Sequence, residues 1–164
     1  MKRVFLFLYR LIKIFVFKLE YKKNFVFGKN LRFRDSFRVN ISPEGYLKIG
    51  DNCFFNHDCS INVHKKIVIG SLCIIGENVK MYDHNHVFKN TNLNIVEQGF
   101  SEDEIIVGNN CWIGSNVTIL KGVHIGDNCV IGAGCTIAKD ILSNTLVRLD
   151  NNYKIEEIKR WNKE

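Results

Sequence analysis

The chain has 164 residues, 46% of them hydrophobic, and a formal net charge of +6. That is one domain's length with enough apolar content for a packed core, which excludes wholesale disorder. The charge is concentrated in residues 1–38, where eleven Lys or Arg face only Glu20 and Asp35 (11 − 2 = +9), leaving −3 for the remainder.

Residues 1–24 read as a basic amphipathic helix. On a helical wheel Lys2, Arg3, Arg10, Lys13 and Glu20 gather on one side. Val4, Phe5, Leu8, Leu11, Ile12, Phe15 and Leu19 cover most of the other. Arg10 and Lys13 interrupt the apolar stretch and no small-residue cleavage site follows, which argues against a signal peptide. The longest uninterrupted apolar run, Val4 to Tyr9, is too short to span a bilayer. Such a helix packs against its own domain or a neighbouring subunit, or lies on a membrane surface. An anionic partner suits the charge; nucleic acid is not expected, because no nucleic-acid-binding signature accompanies it.

From residue 25 to 142 the dominant signal is a six-residue period. Weak copies start at Phe27, Phe33 and Val39, and clear ones at Ile49, Phe55, Ile61, Ile69, Ile75 and Met81. After an interruption come Val107, Ile113, Ile119, Ile125, Ile131 and Ile137. A bulky residue every sixth position fits neither a helix nor simple strand alternation. It implies short strands joined by repeated bends, three strands closing a coil and stacked coils forming a β-helix. The load of Asn and Gly, with Pro43 the single proline, supplies the bends. Periodicity does not fix the hand of the coil.

All six cysteines, Cys53, Cys59, Cys73, Cys111, Cys129 and Cys135, lie four residues after a repeat start, a slot that elsewhere holds Val79, Val117, Val123 or Ile141. They behave as small buried hydrophobes rather than a disulfide framework, which implies a reducing, cytoplasmic setting.

The period breaks over residues 82–106. Long loops in compact domains are usually functional or disordered, and this one opens on Asp83, His84, Asn85 and His86. An imidazole at such a break can accept the proton of a hydroxyl nucleophile near neutral pH. Asp83 or Asp58 is available to orient the ring. Residues 143–164 form a C-terminal tail, with a short capping helix expected over Tyr153–Trp161.

The stretch VGNNCWIGSNVTILKGVHIGDNCVIGAGCTIAKDI, residues 107–141, resembles the hexapeptide-repeat acyltransferases, especially the galactoside and maltose acetyltransferases and the polysaccharide O-acetyltransferases. The segment IGDNCFFNHDCSI, residues 49–61, is similar to the same family. The resemblance implies an all-β, left-handed parallel β-helix with an extruded active-site loop. It also implies a homotrimer with sites between subunits, and transfer of acetyl from acetyl-CoA to a sugar hydroxyl. It places the catalytic base on His86, with His84 as the alternative two residues away. Asn56, Asp58 and Asp83 fall near the acceptor. Trp112, Ser115, Ala133, Ala138 and Lys139 fall along the coenzyme, Ser115 near the thioester carbonyl. The family's proline-containing C-terminal turn is missing, which leaves Arg148 and Lys154 as candidates for the nucleotide end. The basic N-terminal helix favours a membrane-associated glycan acceptor and a location at the inner face of the membrane.

Two other readings compete. A trimeric zinc enzyme would use His84 and His86 with His64 or His57. A non-catalytic β-helix scaffold would use the faces of the coil for binding. The acyltransferase reading expects no metal.

Overall fold

The computed structural model describes residues 2–149, with side chains from Phe7 onward; Lys154 and the tail over Tyr153–Trp161 lie outside the described residues. Helix α1 spans Lys2–Tyr21. Beyond it the chain winds through about six coils, visiting three parallel sheets in turn. Face A runs from Phe25–Phe27 to His124–Ile125, face B from Arg32–Phe33 to Leu146–Val147, and face C from Arg38–Ile41 to Thr136–Ile137. Register is kept strictly: Phe55 pairs with Ile75, Ile75 with Ile113, and Ile113 with Ile131. The chain is thus a parallel β-helix.

The repeat starts are the core. Ile49, Phe55, Ile61, Ile69, Ile75, Met81, Val107, Ile113, Ile119, Ile125, Ile131 and Ile137 are all buried, as are the six cysteines. Many strands are only two residues long, so alternation has no room to show and the six-residue spacing carries the pattern instead. Cysteine fits its slot for a second reason. The thiols of Cys53, Cys73 and Cys111 donate to the carbonyls of Gly70, Gly108 and Gly126 at 3.1–3.2 Å, so a small apolar side chain also meets a backbone acceptor.

The bends explain the asparagines. At two of the three corners one residue per coil adopts positive φ, and Asn30, Asn52, Asn78, Asn110, Asn116, Asn128 and Asn144 fill most of these slots. Asn tolerates this region because its side chain bonds locally. Here the amides also ladder between coils: Asn110 Nδ2 donates to Asn128 Oδ1 at 2.9 Å, and Asn128 Nδ2 to Asn144 Oδ1 at 3.1 Å. Leu72 breaks one ladder, sitting at φ +63 between the rungs of Asn52 and Asn110 with more than half its surface exposed. Leu72→Asn is therefore expected to stabilise the protein by about 1 kcal/mol, through relief of the left-handed penalty and restored amide bonds. A thermal melt checks this; an unchanged or lowered Tm would show that the ladder contributes nothing there.

The N-terminal end of the prism presents a particular problem. The carbonyls of buried positions accept from the preceding coil, as Ile49 O does from Gly28 N–H and Phe55 O from Arg34 N–H, whereas bend residues donate the other way, as Asn52 N–H does to Lys29 O. The buried positions of the first coil therefore have no preceding coil to accept from. Helix α1 supplies the donors. Arg10 Nε bonds Phe33 O at 2.7 Å, Lys13 Nζ bonds Phe37 O at 3.4 Å, and Tyr21 Oη bonds Val39 O at 2.9 Å. Burial pushes the Tyr21 hydroxyl up to about 12, so it remains a donor through the neutral range. Phe17 plugs the open core, with ring centroids 5.6 Å from Phe25 and 6.2 Å from Phe37. The sequence leaves open which side of the helix meets the protein. Arg10 and Lys13 turn inward, and the apolar side turns out.

Candidate active site

The break in the coil is built as a hairpin rooted in a buried carboxylate. After Met81 fills its inward slot, strands His84–His86 and Phe100–Glu102 pair antiparallel, with His84 opposite Glu102 and His86 opposite Phe100. Asp103 N–H closes the base on Asp83 O at 2.8 Å. Lys65 pairs with Asp103 at 3.1 Å and Lys66 with Glu104 at 2.8 Å. Hydrogen bonds from these two lysines hold both carboxyls below their usual range.

Asp83 is completely buried. Its Oδ1 accepts from His64 N–H at 2.8 Å, and its Oδ2 accepts from Lys65 N–H at 2.8 Å and Lys66 N–H at 2.7 Å. The same carboxylate lies 3.0 Å from His84 Nδ1. Asp83, expected near the acceptor, lies at the root of the hairpin. Its oxygens are spent on the backbone of the preceding coil and it has no surface to offer. It does orient a ring, that of His84.

Three imidazoles gather around Phe100. His64 and His84 stack at 3.5 Å with an interplanar angle of 12°, and Phe100 lies 4.5 Å from His64, 5.5 Å from His84 and 4.5 Å from His86. Because carboxylates accept only, Asp83 and Glu102 assign the protons to Nδ1 of His84 and of His64, the latter pair at 3.3 Å. His86 is exposed, and its ring bonds no side chain or backbone group among the described residues. It lines a cavity of 230 Å³ with Phe88, Ser101 and Lys121.

The remaining predicted residues stand at other places on the prism. Asn56 and Asp58 lie at the corner between faces B and C. Asn56 Oδ1 accepts from His57 N–H at 3.0 Å, while Asp58 takes a left-handed bend slot at φ +61. Ser115 and Ala133 occupy the same corner two and three coils further on. Ala138 and Lys139 are exposed at the corner between faces C and A, and Trp112 stands out from face B, 56% exposed. Within one chain the loop histidines and the Asn56–Ser115 column are thus on different corners and do not converge.

One detail of the Ser115 corner was not visible in the sequence. At the corner between faces A and B, each bend N–H is accepted by a side chain of the next coil: Lys29 by Asp51, Asp51 by Ser71, Ser71 by Asn109, Asn109 by Asp127 and Asp127 by Ser143. At the corner between B and C, Glu77 N–H is likewise accepted by Ser115 Oγ at 3.2 Å. The next rung would fall to residue 133, and alanine has no acceptor. Ser115 N–H is left without a partner among the described residues. The Ser115 hydroxyl, its oxygen held by Glu77, keeps its own proton to donate. Ser115 thus carries two donors that have no partner among the described residues.

Among the described residues no three His, Cys, Asp or Glu side chains gather to hold a metal. The zinc alternative meets a geometric objection as well. His64 and His84 stack face to face, so their in-plane lone pairs run parallel instead of converging, and His57 sits at another corner against Arg34 and Asp35.

The bacterial transferase hexapeptide family (six repeats) matches residues 104–139. Over those residues the chain is similar to the hexapeptide-repeat transferases. A maltose O-acetyltransferase from Clostridium difficile 630 superposes on this chain with a TM-score of 0.64 and 33% identity, over 76% of this chain and 65% of that one. A galactoside acetyltransferase in complex with coenzyme A gives a TM-score of 0.54 and 28% identity, over 81% and 74% of the two chains. The polysialic acid O-acetyltransferase of Neisseria meningitidis is 28% identical over 111 residues, which are 59% of this chain and 52% of that protein. The chain spans between 27% and 65% of the length of the curated relatives it matches.

Proposed function

We propose that the protein transfers an acetyl group from acetyl-CoA to a sugar hydroxyl, with His86 as general base, in the assembly of a surface polysaccharide. The observation that carries this reading is the accessible imidazole of His86, held out on a hairpin at the long break in the coil between Met81 and Val107. The named activities of the maltose, galactoside and polysialic acid relatives support acetyl transfer to a carbohydrate.

The chemistry follows from the groups in place. Neutral His86 accepts the proton of the sugar hydroxyl as that oxygen attacks the thioester carbonyl carbon. The carbonyl π electrons move onto oxygen, giving a tetrahedral oxyanion. The two donors of Ser115, its backbone N–H and its hydroxyl, are assigned to this oxyanion. Collapse breaks the carbon–sulfur bond, and the imidazolium returns its proton to the departing thiolate. Trp112, Ala133, Ala138 and Lys139 are assigned to the coenzyme, and Asn56 and Asp58 to the acceptor.

Because the His86 corner and the Ser115 corner are separate in one chain, a complete site needs a second copy, which favours a homotrimer. Two exposed apolar surfaces are available for such contacts. One is the outer column of face B, with Ile74 at 53%, Trp112 at 56% and Leu146 at 62% exposed; the other is the loop, with Phe88 and Val96 projecting. The six buried thiols suit a cytoplasmic setting.

One observation favours a second assignment of the base. Asp83 leaves the lone pair of His84 on Nε2, the arrangement of an oriented base, although the His84 side chain is only 16% exposed. The function is tested by following thiol release from acetyl-CoA across a panel of glycan acceptors; release that no acceptor stimulates would favour the scaffold reading.

The Ser115 corner gives a sharper test. In Ala133→Ser the new hydroxyl takes the Ser115 N–H, as Ser71 and Ser143 take theirs. Turnover should fall roughly 10²-fold with no loss of Tm, the scale of one oxyanion donor removed. Full activity in this variant would show that Ser115 N–H is not used.

A further inference from the structure

We propose that the outward face of α1 docks on an anionic lipid bilayer. Phe7, Leu8, Leu11, Ile12, Phe15, Val16 and Leu19 are 44–63% exposed and fall on one side of the helix, spaced as a continuous i, i+3, i+4 stripe. A soluble helix would turn such a stripe into its own domain. Here that place is taken: the first coil requires the donors of Arg10, Lys13 and Tyr21 and the ring of Phe17, and those residues occupy the inward side. The apolar stripe is left facing away from the rest of the chain.

Charge selects the occupant. Around the stripe and in the first coil beneath it, Lys18, Lys22, Lys23, Lys29, Arg32, Arg34 and Arg38 are exposed, and Glu20 and Asp35 are the acids of residues 1–38. A second copy would bring the same +9 balance against itself. A bilayer containing anionic lipid offers both an apolar layer for the stripe and phosphates for the lysines. No helix among the described residues is long and apolar enough to cross a membrane, so α1 lies along the surface. Its length, about 30 Å, would rest in the interface with Lys18 reaching up to the headgroups.

The inference is independent of the catalytic reading and is read without it. The full chain should float with vesicles of phosphatidylglycerol mixed with phosphatidylcholine, less so as salt is raised, and not with phosphatidylcholine alone. The double variant Ile12→Asp/Phe15→Asp should weaken binding roughly 10²-fold while Tm and thiol release stay unchanged. Each of Lys18→Gln, Lys22→Gln and Lys23→Gln should weaken it about fivefold. The proposal is overturned if the wild-type chain fails to float with anionic vesicles, or if the double variant floats equally well. It is also overturned if light scattering shows the double variant to have lost an oligomer while vesicle binding is untouched, because the stripe is then a subunit contact.

Discussion

His86→Ala is expected to lower turnover by roughly 10²–10⁴-fold, the range for a removed general base, and to leave the melting temperature nearly unchanged. The two halves of this expectation have the same cause. His86 is exposed at the end of a hairpin strand, so its loss removes little packing beyond the edge of Phe100. Its nitrogens carry no internal partner among the described residues, so truncation orphans no buried group. The acetyl-CoA KM should move little, because a base acts on the acceptor's proton. His84→Ala separates the two candidates. That substitution removes a ring stacked on His64 and bonded to Asp83, so it should lower Tm clearly and disturb activity indirectly. Should His84→Ala abolish turnover while His86→Ala retains it, the base is His84, and the Asp83–His84 pair is the catalytic unit.

The fold was legible because a β-helix is a one-dimensional repeat, and each buried slot is reported once every six residues. Ile113, Cys129 and Asn116 each could be placed inward or at a bend before any contact was known. The head of the helix shows where such reading stops. A helical wheel separates two faces but cannot say which one meets the protein. That was decided by the unpaired carbonyls of Phe33, Phe37 and Val39, which demanded donors and turned Arg10 and Lys13 inward. Within the site, His84 and His86 announced themselves by interrupting the period. Phe100 did not, because its place among three imidazoles depends on the register of a hairpin that no local pattern specifies. Ala133 was legible only as a match to a family position. Its physical meaning, an acceptor missing from a ladder, emerges from comparing two corners of the same molecule. Asp83 is the intermediate case. Stepping back one coil from residue 83 reaches residues 64–66, so its contact with that bend was open to arithmetic, but its burial was not.

Asp83→Ala is expected to be the most destabilising single substitution in the loop region. Three backbone N–H groups, of His64, Lys65 and Lys66, are satisfied by this one carboxylate at 2.7–2.8 Å. Removing it leaves each donor unpaired at about 1–3 kcal/mol, against which relief of a buried carboxylate returns part. A net loss of about 3–6 kcal/mol follows, or roughly 10–20 °C in Tm for a chain of this size. Asp83→Asn separates charge from geometry. An amide keeps one acceptor oxygen and presents an NH₂ group to the other site, so Lys65 and Lys66 can stay bonded while His64 N–H loses its partner. That variant should fall between wild type and alanine, nearer to wild type. Both should also cost activity, because the root of the hairpin that carries His86 rests on the same carboxylate through His84 and the closing bond of Asp103. Thermal melts of the three proteins, read beside their thiol-release rates, check both expectations. If Asp83→Ala melts within a degree or two of wild type, the bend at 64–66 finds its hydrogen bonds elsewhere, and the hairpin does not depend on this root.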